Sequence, residues 1–410
     1  MKCGLLGRKL GHSYSPQIHS YLGDYVYTLF EREPDQIGEF LKNGDFTGLN
    51  VTIPYKKDVI PYCSELSPQA KRMGAVNTIV RKKDGSLIGH NTDYFGFSSM
   101  IRRSGLQVAG KKILVLGSGG ASNTAVAVLE EMGAHVVIIS RSGENNYTNL
   151  HLHTDAELIV NATPVGMYPN VGVSPVDLSL FPHLEGVLDM IYNPSRTKLL
   201  LDAAQRNVVA ENGLWMLVAQ AKESAEWFTG HSIDDNVIEE IYRTLRIQME
   251  NIVLIGMPGS GKTTVGQILA EKLNRPFVDA DAEIVRKTGV TIPEIFAESG
   301  EDGFRKIETN VLLELGQQSG LVIATGGGCV TRQENYPLLH QNGTIFCLTR
   351  DLDKLPTDGR PLSRKDTLEQ MYQSRKPMYQ QFADHIIDNN DSSTITAETI
   401  QKLLCQGGFE

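Results

Sequence analysis

The chain has 410 residues and a formal net charge of −9 with a sequence pI near 5.6, enough length for two or three domains of ~150 residues and too acidic a balance for a nucleic-acid surface. The five cysteines (Cys3, Cys63, Cys329, Cys347 and Cys405) have neither CxxC spacing nor a companion histidine pattern, which argues against a metal cluster or a disulfide framework. No run reaches the ~18 apolar residues of a spanning helix and the apolar stretch after Met1 is too short for a secretory leader, so a cytoplasmic protein acting on small molecules is expected, with neither membrane nor nucleic acid as partner.

Residues 1 to about 95 alternate short apolar strands (CGLLG, YTLF, GLNVTI, AVNTIV) with polar helical stretches such as PDQIGEFLKN, the pattern of a small α/β unit. Four polar clusters sit at strand ends: HSYSP with Ser13 and Ser15, NVTIPYK with Asn50, Thr52 and Lys56, AVNT with Asn77, and HNTDYFG with Asn91 and Asp93. Taken singly, such hydroxyls and amides read as turn or cap groups. Taken together they suit a pocket for a small polyol, with one lysine and one carboxylate available for proton transfer.

From Lys111 the order becomes strand (KKILVL), glycine turn (Gly117, Ser118, Gly119, Gly120, Ala121), helix (TAVAVLEEM), then the strands HVVIIS, ELIVNAT and GVLDMIY, which predicts a doubly wound parallel sheet. The turn can present free N–H groups to a pyrophosphate, although a glycine turn alone also occurs in parallel α/β proteins that bind no dinucleotide. The strand HVVIIS ends in Ser140, Arg141 and Ser142 rather than in an acid. An acid there bonds a ribose diol, whereas arginine between two hydroxyls suits a 2′-phosphate, so NADP(H) is favoured over NAD; the competing reading of Arg141 is a solvated loop charge. Two helices, in NGLWMLVAQAKESAEWFTG and DDNVIEEIYRTLRIQME, close this half. The junction Gln248 to Asn251 has no Gly/Ser or Pro-rich spacer, so a short linker is expected.

The second half opens on the strand NIVLI and the turn GMPGSGKT, Gly256 to Thr263. This GxxxxGK[ST] pattern cradles a nucleoside triphosphate: the backbone of Gly259, Ser260 and Gly261, together with Thr264, faces the phosphates, Lys262 supplies an ammonium and Thr263 a hydroxyl for Mg2+. Guanine-reading motifs such as NKxD are absent, which favours ATP. Downstream come FVDAD (Asp279, Asp281), GFRKIE (Arg305, Glu308), VIATGGG (Gly326 to Gly328), DGRPLS (Arg360) and SRKPMY (Arg375).

HSYSP, GLNVTIPYK, GAVNT, GHNTDYFG, GSGGA, NATPVGM, DMIYNPSRTKLL and NGLWMLVAQA, in this order over residues 1 to about 245, resemble signature stretches of shikimate dehydrogenase. Departures are mild: Ser20 follows His19, and Ser-Arg-Ser stands at 140–142. The resemblance implies NADPH-dependent reduction of 3-dehydroshikimate, with Lys56 and Asp93 as the catalytic pair. It also implies that Ser13 and Ser15 hold the substrate carboxylate, that Thr52, Asn77, Tyr192 and Gln220 complete the pocket, and that Gly213 approaches the nicotinamide. The second series resembles shikimate kinase over 251 to about 405. That implies ATP-dependent phosphorylation of the 3-hydroxyl, with Asp281 on the ring hydroxyls and the attacking oxygen, Arg305 and Arg375 on the carboxylate, and Gly327 and Gly328 beside the ring. Thr263 and Asp279 would attend Mg2+, and Lys262 with Arg360, on a lid loop, would neutralise the transferring phosphoryl group. Read as surface charges, the arginines carry none of these roles. The expected architecture is α/β throughout: a substrate-binding segment 1–95 joined by helices of about 213–248, a Rossmann-like NADP-binding segment 96–212, and a P-loop kinase segment 251–410. Competing functional readings are a related acid such as quinate as substrate, another polyol as phosphoryl acceptor, or a ligand-sensing protein without turnover.

Overall fold

The computed structural model describes residues 1–11, 13–355 and 365–406, and Arg360 lies outside them. The chain forms two compact units, one of Met1–Met167, Val173–Tyr192 and Leu199–Thr244, the other of Tyr168–Gly172, Asn193–Lys198 and Leu245–Glu410. Among the described residues no helix is long and apolar enough to cross a membrane.

The first unit holds two sheets. One contains β1 (Lys2–Gly7), β2 (Val26–Glu31), β3 (Gly48–Val51), β4 (Glu65–Leu66), β5 (Thr78–Arg81) and β6 (Leu87–His90) in the order β2-β1-β3-β5-β6-β4. β1 is buried at every residue after Lys2, as its unbroken apolar run requires of an inner strand pairing in parallel on both sides. The hairpin β5–β6 is antiparallel and turns at Gly85, where φ is +85°, within KKDGS.

The other sheet, β7 (Lys112–Leu116), β8 (His135–Ile139), β9 (Leu158–Asn161), β10 (Gly186–Asp189) and β11 (Val209–Glu211), runs β11-β10-β9-β7-β8 with every pairing parallel. β7 therefore lies between β8 and β9, and the winding reverses at its carboxyl end, where open parallel sheets form their binding crevice. Helices Asp93–Ser104 and Leu214–Thr229 pack closely: a Cβ added at Gly96 would lie 2.8 Å from Met216 O, which accounts for the glycine of DYFG.

The second unit is built on β12 (Asn251–Ile255), β13 (Phe277–Asp279), β14 (Val322–Ala324), β15 (Gly343–Thr349) and β16 (His385–Asp388), all parallel in the order β13-β14-β12-β15-β16. Alternate residues of the buried NIVLI strand serve opposite cores, as the two-residue repeat of a strand demands. Val253 and Ile255 pack with Ile284, Phe304 and Leu312, and Ile252 and Leu254 with Val265, Leu269 and Ile400. Helix Ile292–Gly316 is interrupted at Gly300 (φ +67°), so the segment bearing Arg305 and Glu308 takes its own direction.

The units depart from the expected segments in three stretches, Tyr168–Gly172, Asn193–Lys198 and 245–250, which group with the second unit. Helix Asn335–His340 ends with carbonyls that need donors from outside the helix. Arg196 supplies them, through its backbone N–H to Gln341 O (2.8 Å) and its guanidinium to His340 O (2.8 Å), and the guanidinium also reaches Gly343 O (3.2 Å) at the start of β15.

Candidate active sites

In the first unit the strand end of β3 and the start of a helix bring a lysine to an aspartate. β3 leads into a compact turn anchored by Tyr55, which is fully buried, while Val76 N–H holds the Lys56 carbonyl at 2.7 Å. Asp93 opens helix Asp93–Ser104, its N–H bonded to Asn91 Oδ1 at 3.1 Å, and the helix N-terminus favours its negative charge. Lys56 Nζ meets Asp93 Oδ2 at 2.6 Å, with side-chain exposures of 29% and 17%. The pair is thus open enough to meet a ligand and close enough to hold the ammonium in one orientation.

Behind it lies a buried polar lattice. Asn77 Oδ1 accepts from Thr92 N–H (2.7 Å) and Thr78 Oγ1 (3.1 Å), and its Nδ2 donates to Thr92 Oγ1 (3.1 Å). Asn50 Nδ2 donates to Ser224 Oγ (2.8 Å), and its Oδ1 accepts from Tyr27 OH (2.7 Å). The Asn50 and Asn77 amides are largely engaged by protein groups, and a network satisfied in this way makes this part of the unit rigid. Tyr27, Thr78, Thr92 and Ser224 escaped the sequence reading because each, alone, resembles an ordinary sheet or helix residue. Thr92 lies within the stretch HNTD, but its reach to Ser224 requires the fold.

Five other expected residues lie in the same unit, and Gln220 among them bonds the lattice. Ser15 N–H bonds Ser13 Oγ at 3.2 Å at the start of helix Ser15–Leu22. Tyr192 lies edge-on to Tyr14 at 6.3 Å between centroids, and burial pushes both phenols up, so they are neutral hydrogen-bonding groups at neutral pH. Gln220 Nε2 caps Leu217 O at 2.8 Å, and its Oε1 accepts from Thr92 Oγ1 at 3.5 Å. Thr52 follows β3, with its N–H on Leu6 O at 2.9 Å, and is half-buried.

At the end of β7, Gly117 has φ +109°, and a Cβ there would lie 3.1 Å from Thr163 Cγ2. Ser122, at the third glycine position, is fully buried and donates to Gly117 O at 2.7 Å, bracing the turn from inside. Ser118, Gly119, Gly120 and Ala121 are exposed; Cβ atoms at the two glycines would meet nothing within 4 Å. The helix N-terminus beginning at Gly120 therefore faces open space.

At the end of β8 the three expected residues divide. Arg141 and Ser142 are exposed, whereas Ser140 is buried against the turn, its Oγ 2.6 Å from where a Gly143 Cβ would be. The following loop is held by its own bonds, Asn146 N–H to Asn149 Oδ1 (2.8 Å) and Asn149 Nδ2 to Glu144 O (2.9 Å). Gly213 has a steric reason of its own: a Cβ would lie 2.2 Å from Met190 O at the end of β10.

In the second unit the turn after β12 has left-handed glycines at Gly256, Gly259 and Gly261. Lys262 folds back over it, Nζ donating to Gly256 O (2.9 Å) and Met257 O (3.0 Å). Thr263 and Thr264 are exposed on the first helical turn. Thr263 Oγ1 donates to Asp279 Oδ2 at 2.9 Å, while Asp279 Oδ1 caps helix Ala280–Thr288 through Asp281 N–H (3.1 Å). A hydroxyl and a carboxylate beside a phosphate loop match the sparse protein ligation of Mg2+, which keeps waters and borrows phosphate oxygens.

Asp281, Arg305, Glu308 and the three glycines meet at one place. Cβ atoms at Gly326, Gly327 and Gly328 would lie 2.7 Å from Glu308 Oε1, 2.7 Å from Pro258 Cδ and 2.0 Å from Arg305 Nη2. The glycines are expected to leave room for a ring; the protein's own side chains already require them, Glu308 and Asp281 at Gly326, Pro258 at Gly327 and Arg305 at Gly328. Arg305 Nη1 bonds Glu308 Oε2 at 2.7 Å and Nη2 bonds Glu301 Oε1 at 3.2 Å. Burial pushes the fully buried Glu308 carboxyl up, and Arg305 opposes the shift. Arg375 Nη1 donates to Gly327 O at 3.2 Å, and Tyr379 OH donates to the same carbonyl. Glu308 closes the stretch GFRKIE and Tyr379 closes SRKPMY, yet neither has an expected role, since spacing alone does not reveal which way a helix faces. Beside Arg305 a cleft of about 620 Å3 is lined by Ser299, Gly300, Glu301, Asp302, Thr331 and Arg332.

Residues 5–79 match the family model described as shikimate dehydrogenase substrate binding domain, and residues 258–404 match the one described as shikimate kinase. A shikimate dehydrogenase (NADP(+)) of Clostridium perfringens is 37% identical over 265 residues, covering 59% of this chain and 97% of the relative. Among solved structures, shikimate dehydrogenase 1 of Peptoclostridium difficile aligns with a TM-score of 0.55 at 38% identity over 60% of this chain and 98% of that one. A chorismate mutase/shikimate 5-dehydrogenase fusion protein of Clostridium acetobutylicum aligns at 0.57 and 36% identity, covering 60% and 96%.

Proposed function

Because the chain belongs to the shikimate dehydrogenase family over its first part and carries a shikimate kinase domain behind it, we propose that the two sites act in series on one metabolite. The protein is a bifunctional enzyme of the shikimate pathway, reducing 3-dehydroshikimate to shikimate with NADPH and phosphorylating shikimate with ATP and Mg2+. In this reading, residues 1–95 with helices of 213–248 bind the dehydrogenase substrate, 96–212 bind NADP(H), and 251–410 form the kinase. The Lys56–Asp93 contact at 2.6 Å carries the first assignment.

NADPH supplies the hydride when bound. Lys56 Nζ stands at the substrate carbonyl, stabilises the negative oxygen as it forms and gives it a proton, while Asp93 fixes the ammonium and accepts from a ring hydroxyl. Ser13 and Ser15 hold the carboxylate, and Thr52, Asn77, Tyr192 and Gln220 hold the ring. The open N–H groups at Gly119 and Gly120 take the pyrophosphate, and Arg141 with Ser142 takes the 2′-phosphate. Ser140 shapes the turn. Arg141→Ala is expected to raise KM for NADPH by ~10–100-fold, the range of a lost charge-assisted contact, and to leave KM for NADH within about threefold. Initial rates with each cofactor check this, and an equal change for both would remove Arg141 from the phosphate site.

ATP with Mg2+ supplies the phosphoryl group when bound. Asp281 orients the 3-hydroxyl and takes its proton, Arg305 and Arg375 grip the carboxylate, and Lys262 screens the phosphates. Glu308 holds Arg305 in register. Gly328→Ala, whose new methyl would meet the Arg305 guanidinium at 2.0 Å, is expected to raise KM for shikimate in the kinase reaction by ~10-fold or more with KM for ATP little changed. Kinetics with each substrate varied in turn decide it.

The whole assignment is tested on the purified chain by following NADPH oxidation and ADP release separately. Both activities are expected, and chelation of Mg2+ is expected to stop only the second. Binding of shikimate without either turnover would instead favour a sensor. The acidic charge balance favours small-molecule partners over nucleic acid, and a cytoplasmic setting fits the NADPH and ATP the reactions consume.

A further inference from the structure

The crest of the kinase phosphate loop rests on two glycines in left-handed backbone, Gly259 at φ +85° and Gly261 at φ +94°. Such a crest belongs to no helix or sheet ladder that would hold its peptide planes. One side chain far along the chain, Asn389, reaches it. Asn389 follows β16, is 2% exposed, and donates its Nδ2–H to Ser260 O at 2.7 Å. Its Oδ1 accepts from Thr396 Oγ1 at 2.8 Å, and its backbone N–H donates to Thr349 O at 2.9 Å.

The side-chain amide is therefore held at both ends and the backbone at a third point, and the orientation of the amide is unambiguous because a carbonyl can only accept. In a trans peptide the C=O and the next N–H point in opposite directions. Pulling the Ser260 carbonyl toward Asn389 turns the Gly261 N–H the other way, and that N–H has no backbone acceptor among the described residues. The fit is close: a Cβ at Gly261 would lie 2.3 Å from Asn389 Nδ2, so the glycine is required both by its φ and by this side chain.

We infer that Asn389 is a positioning residue of the kinase, which aims the Gly261 N–H at the nucleotide phosphates without touching them. It rests on the kinase reading for its consequence in turnover, but nucleotide binding tests it separately. In the full-length chain, titration calorimetry with MgADP is expected to show ~10-fold weaker binding for Asn389→Ala, the effect of leaving a buried carbonyl unpaired. KM for ATP should rise in parallel, while KM for shikimate and NADPH-dependent reduction stay within about twofold of wild type. Asn389→Asp keeps the shape but turns an ionised acceptor toward Ser260 O. Its deficit should be larger than that of the alanine variant near pH ~8 and shrink toward pH ~6, because burial raises the carboxyl pKa and the protonated acid again donates.

Unchanged MgADP affinity in both variants overturns the inference, as does an equal loss of ADP and shikimate affinity or an Asp deficit that does not move with pH. Failure of wild type to phosphorylate shikimate while the MgADP pattern holds would instead overturn the substrate reading and leave the positioning role standing.

Discussion

Lys56→Ala is expected to lower NADPH-dependent reduction by ~10²–10⁴-fold, the range of a positioned general acid, while phosphorylation continues within about twofold of wild type. The physical reason is the single short contact between Lys56 Nζ and Asp93 Oδ2, in a site whose other proposed members carry hydroxyls and amides. A carbonyl that receives hydride becomes an alkoxide, and among these groups only the ammonium brings both a positive charge and a proton. Asp93→Asn should cost less than Lys56→Ala, since the amide keeps a polar group beside the amine but loses the charge that orients it. Because Lys56 is only partly buried, its removal leaves no large cavity and little loss of stability is expected. The second activity in the same chain serves as the internal measure of correct folding. Retention of more than a tenth of wild-type reduction would show that another group delivers the proton.

The complementary change, Lys262→Ala, should lower phosphoryl transfer by ~10²–10³-fold and leave reduction intact. Lys262 is 8% exposed, and its ammonium bonds the carbonyls of Gly256 and Met257. Two effects therefore combine: loss of the positive charge that screens the phosphates, and loss of the donor that folds the loop on itself. Lys262→Arg separates them. Its guanidinium retains charge and donors but does not fit the compact ammonium site, so an intermediate loss is expected, mainly in kcat. Both assays on both variants give four numbers, and loss of both activities from either substitution in a folded protein would refute independent sites.

How much of this was legible in the sequence depends on the scale at which each residue acts. Elements whose signal is local were readable: the buried strands NIVLI and KILVL, the glycine turns that follow them, and the helices after those turns, because φ > 0 at Gly117, Gly256 and Gly261 leaves few alternatives to glycine. The proposed catalytic pair Lys56 and Asp93, 37 positions apart, is legible through motif resemblance rather than through spacing. Asp279 is expected from the motif to attend Mg2+, and that it caps the next helix is visible only in the fold.

The sequence by itself determined the two nucleotide-binding turns, the order of the motifs and the chemical types available at each site, since these follow from backbone constraints and side-chain chemistry carried by neighbouring residues. Only the tertiary structure decided which polar groups are already engaged by one another. Asn50 and Asn77 are tied to Ser224 and Thr92, Ser140 turns inward while Arg141 stays exposed, the GGG run makes room for Glu308, Pro258 and Arg305, and Asn389 braces a loop 129 positions away. Hydrogen bonds and close packing act over about 3 Å, and residues far apart in the chain come within that range only when strands and helices have taken their places.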